Sequence, residues 1–121
     1  MNITPLDHCV KLYVPSTNNV VQADPAKAKH FADYCLSKLA TMFGGATSQE
    51  AQGAWMSDVH GLIKEPITIV YAFCSAEGLH LQRGNVFQLA AEVAVGMNQE
   101  AVSVEIDGGL YFVDQGQRQA A

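Results

Sequence analysis

Charge is scarce in this sequence, and positive charge above all. Charged residues make up 16% of the 121 residues, and seven basic against twelve acidic residues give a net charge of −5. Because proteins bind a phosphate polymer mainly through basic side chains, this balance argues against nucleic acid as a partner. The sequence also lacks an apolar run of about 18 residues and a basic, apolar leader. We therefore expect neither a membrane helix nor a standard secretion signal.

The sequence has three cysteines, which is an odd number. Cys9, Cys35 and Cys74 each lie in an apolar stretch, as free buried thiols do in a reducing compartment. We therefore predict a cytoplasmic protein, in the host cytosol if a phage encodes it. The length predicts one domain over residues 1–121, in which residues 114–121 have nothing to bury and form a flexible tail.

The first half of the chain predicts a strand, a helix and a hairpin. Residues 8–14 alternate between apolar and other side chains, as a half-buried strand does. Asp24 and Pro25 are suited to begin a helix, and Gly44 is suited to end it. A hairpin follows, with arms at residues 50–57 and 63–75. Pro66, near the start of the second arm, indicates a bulge or edge pairing.

The second half predicts another helix and another hairpin. Asn85 and Gln88 have a capping pattern, so we expect the helix to begin there, after an irregular segment at 76–84. Residues 101–106 alternate, and residues 107–109 form a turn before a short last strand. The order β, α, β, β, α, β predicts an α+β ferredoxin-like sandwich, an antiparallel sheet with two helices on one face and an extra C-terminal β arm. The other sheet face would then serve as an oligomer interface or a ligand floor.

Two polar loops and one tryptophan are the candidate ligand contacts. Residues 15–19 and 44–48 offer hydroxyls, amides and backbone N–H groups that suit an anion or a nucleotide, although neither loop has P-loop spacing. Trp55 offers a plane on which a ring could stack. Local turn chemistry and core packing remain open as alternatives. The predicted ligand-binding residues are Lys11, Tyr13, Thr17, Asn18, Thr47, Trp55 and Arg83.

No residue pattern predicts catalysis or metal binding. The four histidines are spread along the chain without the i, i+4 spacing that places two imidazoles on one helix face. Cys35 lies in the apolar stripe of the first helix, which indicates core packing more than a nucleophile. The acidic residues are scattered. We therefore assign no catalytic residue, no metal and no cofactor, and we favour a protein that is not an enzyme.

A set of short motifs resembles a known group of proteins. The motifs are LYVPST at 12–17, FGGAT at 43–47, GAW at 53–55, GLI at 61–63, Glu65 and ITIVY at 67–71. Together they resemble a family of small uncharacterised proteins carried by phages and plasmids. They are also distantly similar to a bacterial domain of unknown function found in exported lipoproteins. The resemblance implies a phage or plasmid setting, in which small proteins often counter host defence.

These observations predict a non-enzymatic, oligomeric binder of a small ligand. The hypothesis is a counter-defence sponge that sequesters a nucleotide-derived immune signal. Two alternatives stay open, a small hydrolase or lyase acting on such a nucleotide, and a protein-binding inhibitor or structural subunit that uses the open sheet face. We expect a pocket or interface to include Thr47, Trp55 and Glu65, which folding alone explains only in part.

Overall fold

The computed structural model describes residues 1–18 and 22–116. Its elements, in chain order, are β1 (His8–Pro15), β2 (Thr17–Asn18), β3 (Gln22–Ala23), α1 (Pro25–Phe43), β4 (Thr47–Ser57), β5 (Gly61–Cys74), α2 (Ala76–Gly96), β6 (Ala101–Ile106) and β7 (Gly109–Asp114). The predicted order is confirmed for the strands of the main sheet and the two helices, and the short strands β2 and β3 are additional.

The main sheet has the strand order β4-β5-β1-β6-β7, and every neighbouring pair in it is antiparallel. The described part of the chain therefore forms an α+β fold, a five-stranded antiparallel sheet with two helices. Strand β1 lies at the centre because its alternating apolar side chains can pack against the helices while its neighbours pair on both sides. Strand β7 is the extra C-terminal arm, and it forms one edge of the sheet.

The core lies between the helices and one face of the sheet. Val10, Leu12 and Val14 of β1 are buried there together with Cys35 and Leu39 of α1. Burial raises the pKa of the Cys35 thiol to about 12. Cys35 is therefore a protonated core residue, as its place in the apolar stripe predicts.

Helix α1 begins and ends where the sequence predicts. The carboxylate of Asp24 accepts a hydrogen bond from the backbone N–H of Lys27 at 3.2 Å, and Pro25 occupies the first turn. Gly44 closes the helix with a φ of 90°, a left-handed conformation that glycine adopts easily because it has no Cβ atom.

Helix α2 begins nine residues earlier than Asn85, so the prediction of an irregular segment at 76–84 is wrong. The helix spans Ala76–Gly96, and the hydroxyl of its N-cap residue Ser75 accepts a hydrogen bond from Gly78 N at 3.0 Å. The first part of this helix is difficult to predict from the sequence because it contains Gly78 and Gly84. Each glycine lowers helix stability by about 1 kcal/mol relative to alanine. The Ser75 cap and the packing of Leu79 against the core offset that cost.

The hairpin of β4 and β5 extends beyond the rest of the sheet. Strand β1 pairs with β5 only over residues 67–74, whereas β4 pairs with β5 from Ser57↔Gly61 to Thr47↔Tyr71. Residues 52–57 and 61–66 therefore form a two-stranded ribbon, which we call the β4–β5 ribbon. Pro66 pairs with Gln52 in continuous register, so edge pairing accounts for this proline and no bulge is present at this position.

The connection before α1 and the end of the chain differ in detail from the prediction. A short pairing of β2 with β3 orders part of the expected loop. Asp114 ends β7, and the Gln115 side chain donates a hydrogen bond to the carbonyl of Gln99 at 2.9 Å. Residues 117–121 of the predicted tail, and Asn19 of the predicted loop, lie outside the described residues. Among the described helices, none is long and apolar enough to span a membrane.

Candidate functional site

The open face of the sheet carries the candidate site. Because side chains alternate along a strand, Tyr13 of β1, Ile67 of β5 and Ser103 of β6 project away from the helices. A cavity of about 450 Å³ lies over them, a size typical of small-molecule sites. Its lining residues are Tyr13, Pro15, Gly53, Ala54, Trp55, Glu65, Ile67, Gln99, Ala101, Val102, Ser103, Glu105, Gly108 and Leu110.

Glu65 is the carboxylate that the β4–β5 ribbon contributes to the cavity. The hydroxyl of Thr17 donates a hydrogen bond to Glu65 Oε2 at 3.1 Å, and the hydroxyl of Ser16 lies 3.4 Å from the same oxygen. Gln99 Nε2 donates to the backbone carbonyl of Thr17 at 2.8 Å, which fixes the segment that carries these hydroxyls. All these partners are neutral, and no ion pair to Glu65 is present in the described structure. Its negative charge is therefore not compensated by a cation there.

Glu105 is the second carboxylate of the cavity, and its surroundings differ. The phenol of Tyr13 donates a hydrogen bond to Glu105 Oε1 at 2.7 Å, and Lys11 Nζ lies 3.9 Å from Oε2. The hydrogen bond to Glu105 is the main cause that raises the pKa of Tyr13 to about 12, since losing the proton would set two negative charges together. Tyr13 is therefore a neutral donor at physiological pH, and Lys11 partly balances the charge of Glu105.

Within the described residues, the other reactive side chains do not form a catalytic cluster. Burial raises the pKa of the Cys9 and Cys74 thiols, which keeps both protonated and weakly nucleophilic. His8 Nδ1 lies 2.6 Å from Asp107 Oδ2, at the end of the sheet and outside the cavity lining. Across residues 1–18 and 22–116, no group of three or more histidine, cysteine, aspartate and glutamate side chains is arranged to hold a metal ion.

The structure brings three of the predicted ligand residues to this site. Tyr13 and Trp55 line the cavity. Thr17 does not line it, but its hydroxyl donates a hydrogen bond to the lining residue Glu65. Lys11 lies beside the cavity, where it approaches Glu105. Asn18 follows Thr17 in β2, and its Oδ1 is buried without a hydrogen-bond partner in the described part of the chain.

Thr47 and Arg83 lie elsewhere. Thr47 is at the far end of β4, in a separate groove formed with Leu6 and Phe43. Arg83 belongs to α2, where its guanidinium lies 4.9 Å from the ring centroid of Phe87 and 5.1 Å from that of Tyr111. The loop after helix α1 and the loop after β1 therefore do not form one pocket. The ligand-binding role of all seven predicted residues stays a prediction.

Glu105, Gln99 and Leu110 line the cavity but were absent from the predicted ligand residues. A signal for Glu105 was present in the sequence: Val102, Val104 and Ile106 alternate toward the core, which puts Glu105 on the face of Lys11 and Tyr13. For Gln99 and Leu110 the sequence contains no such alternation that would indicate the cavity. Gln99 follows the end of helix α2, and Leu110 follows the tight turn between β6 and β7.

Solved structures share this fold, and two of them are structures of a phage SAM lyase. The chain is similar to a phage SAM lyase in complex with S-methyl-5'-thioadenosine, with a TM-score of 0.69, 15% identity and 98% of each chain covered. It is also similar to a phage SAM lyase in the apo state, with a TM-score of 0.68 and 17% identity over 98% of this chain and 100% of the other. No protein-family model matches the sequence, and no curated protein matches it.

These comparisons correct the functional prediction. Both similar structures are those of a lyase, which is an enzyme. The prediction of a non-enzymatic sponge is therefore wrong, as is the preference for a protein without enzymatic activity. The comparisons favour the alternative that named a small lyase. They agree with the phage setting, while the resemblance to the motif family and to the lipoprotein domain stays a prediction.

Proposed function

We propose that this protein is a lyase that cleaves S-adenosylmethionine and that the open-face cavity is its active site. The observation that carries the proposal is the carboxylate of Glu65, held by neutral hydroxyls at the edge of a cavity that also has apolar walls. S-adenosylmethionine carries a sulfonium and an ammonium, and an uncompensated carboxylate attracts such a cation. The shared fold with a phage SAM lyase supports the same substrate class.

The reaction needs no nucleophile from the protein. The substrate's own carboxylate oxygen attacks its γ-carbon, the bond between that carbon and sulfur breaks, and the electron pair passes to sulfur. The products are neutral S-methyl-5'-thioadenosine and homoserine lactone, which keeps its ammonium, so atoms and charge balance without water or a base. This agrees with the lining of the cavity, which among the described residues includes no cysteine and no histidine.

The protein would act by orienting the bound substrate and by excluding water from the cavity. A bent substrate conformation places the carboxylate oxygen near the γ-carbon, and apolar walls such as Ile67 and Leu110 keep water from solvating that carboxylate. Glu65 would hold the cationic end of the substrate, and Thr17 would keep Glu65 in position. The indole of Trp55 would cover one side of the bound molecule.

We also propose that the protein is a homo-oligomer in the cytoplasm. Phe73, Leu110 and Phe112 are more than half exposed and belong to the open sheet face, and such apolar side chains favour association. Consumption of a methyl donor by a phage protein would impair host methylation. A counter-defence role therefore remains part of the proposal, and it would operate by cleavage of S-adenosylmethionine instead of by sequestration of a signal.

The test is incubation of the purified protein with S-adenosylmethionine in ¹⁸O-labelled water, followed by mass spectrometry. We expect equimolar S-methyl-5'-thioadenosine and homoserine lactone, with no label in freshly formed lactone. Homoserine labelled at its γ-hydroxyl would contradict the lyase step, because it indicates hydrolysis. Intact substrate at excess protein would contradict the whole proposal.

Glu65→Gln should lower the cleavage rate by about 10²-fold, since it removes the charge but keeps the side-chain shape. The matched control is Glu50→Gln. Glu50 also belongs to β4–β5 pairing, opposite Thr68, but lines a different groove near Pro66 and Ala28. We expect the control to cleave at the rate of the unmodified protein. Equal rates for both variants would contradict the role of Glu65.

A further inference from the structure

The two carboxylates of the cavity differ in how much of their charge is balanced. Glu65 has neutral hydroxyl partners, whereas Glu105 receives the Tyr13 hydrogen bond and lies 3.9 Å from the ammonium of Lys11. A cationic ligand group gains more from the uncompensated carboxylate. A carboxylate whose charge is partly balanced is better suited to bind neutral hydrogen-bond donors, such as hydroxyl groups. Binding of a neutral donor depends on an available acceptor oxygen more than on net charge.

Glu105 retains unused acceptor capacity. An ionised carboxylate has about four lone-pair positions, and the Tyr13 phenol takes one of them, on Oε1. Lys11 Nζ is too far from Oε2 for a hydrogen bond, and no other donor to Oε2 occurs in the described part of the structure. The Glu105 side chain is 26% exposed and lines the cavity. Oε2 is therefore available to a ligand.

Tyr13 restricts where that free oxygen lies. Its phenol is fixed on the central strand of the sheet, and the 2.7 Å hydrogen bond anchors Oε1. With one oxygen anchored, the orientation of the carboxylate is restricted, which limits the directions in which Oε2 presents its lone pairs. Two adjacent hydroxyls on one ligand ring match such an acceptor, as the ribose of a nucleoside does against an acidic side chain.

We infer that Glu105 is the ribose-binding residue of the cavity, accepting a hydrogen bond from the vicinal hydroxyls of a nucleoside, and that Tyr13 is its positioning residue. The inference rests on the proposed function for the presence of a nucleoside in this cavity. It assigns the two ends of the substrate to different carboxylates, the cationic end to Glu65 and the ribose to Glu105. Discrimination between ribose and deoxyribose follows from it.

The test is isothermal titration calorimetry with S-methyl-5'-thioadenosine and with its 2'-deoxy and 3'-deoxy counterparts. For the unmodified protein, we expect at least one deoxy ligand to bind about tenfold or more weakly, the loss typical of a hydrogen bond to a charged group. Glu105→Gln should bind the parent ligand more weakly by a similar factor, and its discrimination against the deoxy ligand should largely disappear. Tyr13→Phe should reduce that discrimination without abolishing it.

Glu100→Gln is the control, because Glu100 is exposed, immediately precedes β6 and is not among the cavity-lining residues. It should retain the affinity and the discrimination of the unmodified protein. If the unmodified protein binds all three ligands equally, the inference is overturned whether or not the variants fold. It is also overturned if Glu105→Gln weakens binding of S-adenosylmethionine but not of S-methyl-5'-thioadenosine, which would assign Glu105 to the ammonium.

The outcomes separate this inference from the proposed function. Ribose discrimination in a protein that leaves S-adenosylmethionine intact would support the inference and contradict the lyase. Cleavage of S-adenosylmethionine without ribose discrimination would support the lyase and contradict the inference about Glu105. Absence of binding of S-methyl-5'-thioadenosine to the unmodified protein would overturn the inference, and absence of cleavage in the same preparation would overturn the proposed function.

Discussion

Glu65 and Glu105 are the same residue type on the same sheet face, and their neighbours make them different. Two hydroxyls hold Glu65, and a phenol with a nearby ammonium holds Glu105. The first remains an uncompensated anion, and the second is an oriented acceptor. Such differences in environment commonly separate the roles of two carboxylates in one site.

A third carboxylate, Asp107, supports the fold and not the cavity. Its Oδ2 lies 2.6 Å from His8 Nδ1, and its Oδ1 accepts a hydrogen bond from Cys9 N at 2.9 Å. The His8 hydrogen bond is the main cause that lowers the pKa of Asp107 below its ordinary value of 3.8. A carboxyl group with a lowered pKa in the folded state stabilises the fold above the ordinary pKa. That contribution is lost as the pH falls through the lowered value.

We predict that Asp107→Asn lowers the urea midpoint of unfolding at about pH 7 and that the difference disappears at about pH 2. Asparagine tolerates the left-handed φ of 50° at this position, so the backbone should be retained. Asp33→Asn is the control, because Asp33 forms an exposed pair with Lys29 within α1. An unchanged midpoint for Asp107→Asn at neutral pH would contradict the role of the His8 contact.

At the scale of elements, two of the three glycines of helix α2, Gly96 and Gly84, have opposite surroundings. A Cβ atom at Gly96 would lie 2.0 Å from Phe31 Cζ, whereas a Cβ atom at Gly84 would have no atom within 4 Å. Gly96 thus lets the Phe31 ring of α1 pack against the backbone of α2. Gly84 has no such function, so it only weakens the helix.

We predict that Gly96→Ala destabilises the fold by about 1–3 kcal/mol, because the Phe31 ring must move. Gly84→Ala should stabilise it by about 0.5–1 kcal/mol through the higher helix propensity of alanine. Thermal unfolding of the two variants followed by circular dichroism provides the comparison. Shifts of the same sign would show that the Phe31 contact does not control the Gly96 position.

Gly78 and Gly84, near the start of α2, help to explain why the sequence predicts the elements unevenly. Helix α1 has an N-cap, a proline and a glycine stop at its ends, so local residues are enough to define it. The beginning of α2 depends on the Ser75 cap and on packing of Leu79, and that packing exists only in the folded protein. Local patterns therefore favoured Asn85 as the first cap.

The site is less predictable than the fold for a related reason. Tyr13 and Trp55 could be predicted as ligand contacts from their residue type alone, and both line the cavity. The pairing of Tyr13 with Glu105 joins residues 92 positions apart, and the contact of Thr17 with Glu65 joins residues 48 apart. Sheet order brings these residues together, and no local spacing encodes that order.

At the scale of the whole molecule, its two sheet edges differ. Strand β4 begins with the polar residues Thr47–Gln49, and its exposed apolar side chains, Trp55 and Met56, lie in the β4–β5 ribbon. Strand β7 carries the exposed side chains of Leu110 and Phe112. Between Gly109 and Val113, β7 has no charge and no proline to prevent pairing with another strand. The β7 edge is therefore the one more suited to association.

We predict that Phe112→Glu reduces the molar mass measured by light scattering, because it places a charge on the association surface. Phe112 is 75% exposed in the single chain. Leu81→Glu is the control: Leu81 is 66% exposed but lies on α2, on the helix side of the sheet. A monomeric unmodified protein would contradict the oligomer, and an equal loss of mass in both variants would contradict the assignment to this face.

The β4–β5 ribbon has a consequence for the thermodynamics of the cavity. It carries Trp55 and Glu65, yet its residues 52–57 and 61–66 pair with each other and not with β1. An isolated pair of strands is only marginally stable, so this wall has more conformational entropy to lose than the floor formed by β1 and β6. A ligand that bridges the wall and the floor would order the ribbon at an entropic cost. Ligand affinity would then report on the flexibility of the ribbon as well as on the contacts within the cavity.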